Sequence, residues 1–265
     1  MRTQLPPAAL ARDARFHRIS TVERYTDDRP NDVGEDRRMA VETDGVSDRA
    51  RRQMHGIFVG EIQALEGAGR TAFDYTTAET PFALKLDMAR QCWDEARHVE
   101  IACILNDHMG TEIGEFSEST TLFEAACHPD PVFRLAGVNR ALEGLAIDVF
   151  TTMRDFGTEL DDPVMYFCED WMLADEVTHV RMGSNWLREI TKNDAGRRGR
   201  ALEFQRTVDG LFNFGGRRGE SRDAAIRLAR DFRQLAGFDT AEIDAIAAMA
   251  EADRQARVHT TDTTH

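Results

Sequence analysis

The sequence predicts an all-α protein built on a four-helix bundle with one crossover connection, and three observations predict it. Apolar residues recur at three- and four-residue spacing, and no segment alternates in the manner of a strand. The four longest helical stretches form two pairs, each joined by a short turn, with a longer segment between the pairs.

Residues 1–47 hold Pro6, Pro7 and Pro30 and a polar run over 26–36, the composition of a loosely ordered arm. From Asp48 the character changes. Met54, Phe58, Ile62, Leu65, Gly69 and Phe73 mark one face of a first helix ending near Thr77. Thr80-Pro81 reads as a cap followed by proline at the first helical position, and Gly110 is the next breaker, so a second helix spans about 81–108. Residues 110–130 form the crossover, with a short helix at about 121–127. Pro131 opens a third helix that stops near Gly157, and Asp162-Pro163 opens a fourth that reaches Ile190. The bundle thus occupies 48–191. Further helices at about 196–212, 221–235 and 240–258, separated by Gly215-Gly216 and Gly237, are expected to pack on it, with a polar tail at 259–265.

Composition removes several classes of function. The 47 acidic residues against 33 basic ones give a net charge of −14, which argues against binding a phosphate backbone. No apolar run approaches the length of a membrane span. Four cysteines (Cys92, Cys103, Cys127, Cys168) without a C-x-x-C pair, and no apolar leader, suit a reduced, cytoplasmic protein.

The two helix pairs repeat in sequence. Ala64-Leu65-Glu66-Gly67 answers Ala141-Leu142-Glu143-Gly144, and Asp94-Glu95-Ala96-Arg97-His98 answers Asp175-Glu176-Val177-Thr178-His179. Glutamate and histidine three apart on a helix lie on one face and can address one ion. With 21 Glu and 8 His in 265 positions, chance supplies roughly 0.6 such pairs. Two, each preceded by aspartate and by a glutamate-bearing helix, are a signal. Two Glu-x-x-His pairs and one glutamate from each remaining helix offer four carboxylates and two imidazoles, which neutralise and coordinate two divalent ions. Asp94 and Asp175 each lie four residues before a motif histidine. They are expected to hold the imidazoles crosswise, Asp94 to His179 and Asp175 to His98, fixing tautomer and orientation.

The fourth carboxylate is either Glu61 or Glu66. Spacing between motifs favours Glu61, because 33 residues separate Glu143 from Glu176, 34 separate Glu61 from Glu95, and only 29 separate Glu66 from Glu95. Depth favours Glu66, which lies 14 before Thr80 as Glu95 lies 14 after Pro81, whereas Glu61 sits about 7.5 Å further along the helix. The Ala-Leu-Glu-Gly repeat agrees with depth. The expected ligands, and the residues expected to carry catalysis, are Glu66, Glu95, His98, Glu143, Glu176 and His179, with Glu61 in reserve.

This pattern resembles the ferritin-like di-iron superfamily. The stretches Leu142-Glu143-x-x-x-x-Asp148-Val149 and Leu173-Ala174-Asp175-Glu176-x-x-His179-Val180 resemble an uncharacterised ferritin-like family known only as a domain of unknown function. The likeness covers about 50–190 and implies the bundle, the six ligands, two iron ions (or manganese in place of one) and O2 as co-substrate. Relatives that generate a stable radical carry a tyrosine where this chain has Ala102, which excludes a stable tyrosyl radical there, and multicomponent hydroxylases carry a threonine where it has Ile147, so their proton-handling arrangement is not carried over.

The expected activity is an O2-dependent oxidase or oxygenase that hydroxylates, N-oxygenates or desaturates a small organic molecule in a biosynthetic pathway. It would use an external electron donor, with a homodimer as the assembly considered, and no nucleic acid or membrane partner. A ferroxidase is the alternative. A metal-free interaction module is disfavoured, because four uncompensated carboxylates in an apolar core cost several kcal/mol each. Other residues have plainer readings. Gly67 and Gly69 give close packing or room beside the site; Arg70 and Asp148 form ion pairs within the bundle. Trp93, Phe150, Phe167 and Trp171 are core, Cys92, Cys103 and Cys168 are buried apolar groups, and His55, His108, His128, His259 and His265 have no partners at ligand spacing.

Overall fold

The computed structural model describes residues 42–43, 46–116, 121–211 and 226–261. Of the expected arm over 1–47, residues 1–41 and 44–45 lie outside them. Strands β1 (Glu42–Thr43) and β2 (Val46–Ser47) pair antiparallel before the first helix, and every other regular element among the described residues is helical. The elements are α1 (Asp48–Asp74), α2 (Phe82–Met109), α3 (Thr121–Ala126), α4 (Pro131–Arg134), a π-helical segment (Leu135–Leu142), α5 (Glu143–Glu159), α6 (Pro163–Ile190), α7 (Ala195–Leu211), α8 (Arg230–Leu235) and α9 (Thr240–Thr261).

α1 packs along α2, and α5 along α6, as short turns require of antiparallel neighbours. α3 lies against α1 in the connection between the pairs. Asp162 caps α6 as its sequence implies, accepting hydrogen bonds from the amides of Val164 and Met165, both at 3.1 Å. Asp130 does the same for α4, taking the Val132 amide at 2.8 Å. Thr80 does not cap α2. The helix starts one residue later, after Pro81, and the Thr80 hydroxyl donates to the Thr76 carbonyl instead. α1 is also shorter than its apolar pattern suggests, ending at Asp74.

The third bundle helix is not uniform. Between α4 and α5 the chain widens into a π-helix over eight residues, all buried. Such segments are uncommon and concentrate at functional sites. The neighbours are small where the wide turn needs room: a Cβ on Gly183 of α6 would collide with Asn139.

One large core fills the bundle, with Met54 and Phe58 from α1, Ala102 and Leu105 from α2, Ile147 and Phe150 from α5, and Met165, Met172 and Leu173 from α6. Trp93, Phe167 and Trp171 do not belong to it: Trp93 and Phe167 are 67% and 66% exposed. Their helices bury a different stripe, the one that carries the motif residues. Cys92, Cys103 and Cys168 are half-buried rather than enclosed.

The additional helices fasten to the third bundle helix. Asp148 on α5 is fully buried and accepts from the Ala229 amide at 2.8 Å and from the Arg233 guanidinium at 2.7 Å. That use of backbone amides explains a shortfall of helix. A continuous helix over 221–235 was expected, but 226–229 are non-helical, with the Arg227 and Ala229 amides given to Thr152 and Asp148, and helix begins only at Arg230; 221–225 lie outside the described residues. Arg140 of the π segment reaches Gln205 of α7 (2.8 Å), Glu242 of α9 (2.5 Å) and Ser184 of α6. Among the described residues no helix is long and apolar enough to cross a membrane.

Candidate metal centre

The inward stripes of α2 and α6 bring the two motifs together at mid-bundle. Two groups of side chains have ligand atoms within 4.8 Å of one another: Glu61, Glu95, His98 and Glu176 in one, and Glu95, Glu143, Glu176 and His179 in the other. Glu95 and Glu176 belong to both, and all six residues are buried.

Each imidazole is held by opposite edges. His98 Nδ1 faces Glu61 at 2.9 Å and Glu95 and Glu176 at 3.2 Å, and its Nε2 meets Asp175 at 3.3 Å. His179 Nδ1 faces Glu95 at 3.1 Å and Glu176 at 3.5 Å, and its Nε2 meets Asp94 at 3.3 Å. The aspartates therefore pair crosswise with the histidines. With Nε2 held toward aspartate, Nδ1 is the nitrogen turned to the carboxylates, and exchanging its proton for a metal would leave the tautomer a metal ligand needs.

Glu66 is not in either group; Glu61 takes the place expected of it. Counting from Thr80 included turn residues 75–81, which do not advance along the helix axis. Measured from the actual helix ends, Glu61 lies 13 residues before Asp74, as Glu95 lies 13 after Phe82 and Glu176 lies 13 after Pro163. Five residues also turn a helix by about 140°, so Glu61 and Glu66 cannot share a face. The face near Glu66 meets α3: Gln63 accepts from the Phe123 amide, a Cβ on Gly67 would touch Ala126, and Arg70 lies over the Phe123 ring. Gly67 thus serves close packing. The spacing between the motifs, 34 against 33 residues, was the better guide.

Several residues of the site carry no motif. Gln91, one turn before Glu95, donates to Glu143 at 2.5 Å and to Glu95 at 3.2 Å, and accepts from Asn139 of the π segment at 2.6 Å. Arg97 contacts both Asp94 and Asp175. Glu169 on α6 is fully buried, with no hydrogen-bond partner at either oxygen among the described residues. Comparing the two motif helices at equal offsets was the available signal: Met172 stands where Gln91 does, Thr178 where Arg97 does, and Met88 where Glu169 does.

The charges of the cluster are interdependent. Burial, with Glu176 and Glu95 adding to it, pushes the Glu143 carboxyl well above the usual range. Burial does the same to Glu61, against the His98 contact. Burial alone would lower both imidazoles, but the surrounding carboxylates outweigh it and hold His98 and His179 well above their ordinary value. A ring nitrogen donates at most one proton, yet three carboxylates converge on His98 Nδ1. Convergent oxygen donors that protons cannot all serve are the arrangement a cation satisfies, and four carboxylates with two imidazoles suit two divalent ions.

A family model described as "Protein of unknown function (DUF455)" matches residues 11–244, and the chain belongs to that family. No curated protein and no solved structure matches it.

Proposed function

We propose that this member of the DUF455 family is a ferritin-like di-iron oxidase or oxygenase that uses O2 to oxidise a small organic substrate. The observation that carries the reading is the pair of Glu/His groups sharing Glu95 and Glu176. Glu95 and Glu176 would be shared by two ions, with Glu61 and His98 completing the ligands of one and Glu143 and His179 those of the other. Bound there, two iron ions, or one with manganese beside it, would supply the electrons and the open positions that O2 chemistry needs.

The chain's own residues prepare that chemistry. Asp175 and Asp94 hold the proton on Nε2 of His98 and His179, so both rings present Nδ1. All six ligand residues are buried and the Phe150 ring stands edge-on to His98, a setting that would keep bulk water from a reactive centre and limit side reactions. Electrons for repeated turnover would come from an external donor.

Metal analysis of protein produced with iron is expected to find two ions per chain, and the reduced protein is expected to consume O2. Zero ions in folded protein would remove the reading. Gel filtration separates catalysis from iron handling: elution as a multi-subunit shell retaining a mineral load would assign the same ligands to a ferroxidase.

A further inference from the structure

We propose that Arg97 is a positioning residue that couples the two ion sites, by holding through one guanidinium nitrogen both aspartates that orient the imidazoles. The inference rests on the metal reading above and adds to it a mechanism for loading the two ions as a unit.

Arg97 Nη2 contacts Asp94 and lies 3.1 Å from Asp175 Oδ2. The same Asp175 oxygen is 3.3 Å from His98 Nε2, and the other Asp94 oxygen is 3.3 Å from His179 Nε2. The chain of contacts is therefore His179–Asp94–Arg97–Asp175–His98, with one imidazole of each site at either end. Its middle is fixed in turn. The guanidinium lies over the Trp171 ring at 5.3 Å, which restricts its plane, and its side chain is only 29% exposed. Charge-assisted contacts of this kind are the stronger class of hydrogen bond and orient what they hold.

The duplicated motif supplies an independent argument. Asp-Glu-Ala-Arg-His and Asp-Glu-Val-Thr-His agree at the aspartate, glutamate and histidine, and differ in charge only at Arg97 against Thr178. The crossed pairing brings the two aspartates together where the motif helices meet, so one cation serves both. A second arginine would place two guanidiniums at the same two carboxylates. Thr178 instead turns its hydroxyl to its own helix, donating to the Ala174 carbonyl at 3.3 Å. Arg90, the counterpart of Trp171, approaches Asp94 alone, at 3.3 Å. Among the described residues, Arg97 is the cation that touches both aspartates.

The test is anaerobic calorimetric titration of the metal-free full-length chain with ferrous ion, for the wild type, R97M, D94N/D175N and the triple variant, with circular dichroism as the folding control. R97M is expected to weaken both ions by about 10–100-fold, the range of losses when residues behind metal ligands are removed. In the D94N/D175N background, R97M is expected to cost less than about 2-fold more, because Arg97 acts through those aspartates. Unchanged affinities in R97M, loss of one ion only, or an equal loss with the aspartates already removed would overturn the proposal. If R97M does not fold, R97Q is read by the same criteria. A folded wild type that takes up no ferrous ion fails differently: it removes the metal reading itself.

Discussion

The two halves of the centre share their ligand types and differ in what stands behind them. Glu143 is anchored: Gln91 donates to it at 2.5 Å, and Asn139 orients Gln91 from the π segment. Glu61 has no such support, and its hydrogen bond is to His98, a fellow member of its group. Where the first half has Gln91 and Met88, the second has Met172 and Glu169, all four buried. The two repeats share the groups that would touch metal and differ in the residues one and two turns behind them. One carboxylate is held from outside the ligand set and the other only from within it, and the latter side borders the large apolar core and the buried acid Glu169.

The largest effect should come from residues that both halves share. Glu176→Ala or Glu95→Ala is expected to take the metal content from two ions per chain to none, by elemental analysis of folded protein. One tightly held ion surviving in Glu176→Ala would show the halves to be independent and break the comparison at its root.

Removing an unshared carboxylate should cost less. Glu61→Ala and Glu143→Ala are each expected to lose one ion, whereas Glu66→Ala should keep two. Equal losses in Glu61→Ala and Glu66→Ala would mean that the helix-depth count from Asp74 is wrong.

How far these residues could be read from sequence follows from what each signal measures. The repeated Asp-Glu-x-x-His is a local pattern, so Glu95, His98, Glu176 and His179 are legible with their crossed aspartates. Asp130-Pro131 and Asp162-Pro163 mark helix starts by chemistry that involves only neighbours in the chain. Glu61 was harder, because choosing it required the position of a helix end, and α1 stops at Asp74 although its apolar period runs on. The π segment leaves no periodic trace. Gln91, Asn139 and Glu169 acquire meaning only through neighbours brought from other helices, and Trp93 and Phe167 show that residue type alone does not tell which face of a helix is inside.

A smaller effect is expected from making the halves alike. Gln91→Met copies Met172 into the first half, releases Glu143, and should weaken one ion by about 10-fold while leaving the other near its wild-type affinity. Calorimetric titration resolving two constants checks it. If both constants are unchanged, the Gln91 contact is packing and the contrast between the two carboxylates disappears.

The smallest effect concerns Glu169, and it appears in stability rather than in metal content. Burial, with Glu61 adding to it and His98 opposing, pushes this carboxyl well above its ordinary value of 4.5. The folded protein therefore binds that proton more tightly than the unfolded chain does. Its contribution is fully present below pH 4.5 and is lost as pH rises from there toward the raised folded value. Even protonated, the group is buried without a partner among the described residues, which costs ~1–3 kcal/mol. Glu169→Met copies Met88 of the other half and conserves an apolar fit, so it should raise the unfolding free energy of the metal-free protein by about that amount and flatten part of its decline with pH. Denaturant unfolding at pH 5 and pH 8 measures both. A variant no more stable than the wild type, with the same pH dependence, would mean that Glu169 has a proton or cation partner in the folded protein, and the two halves would then differ less than their buried residues suggest.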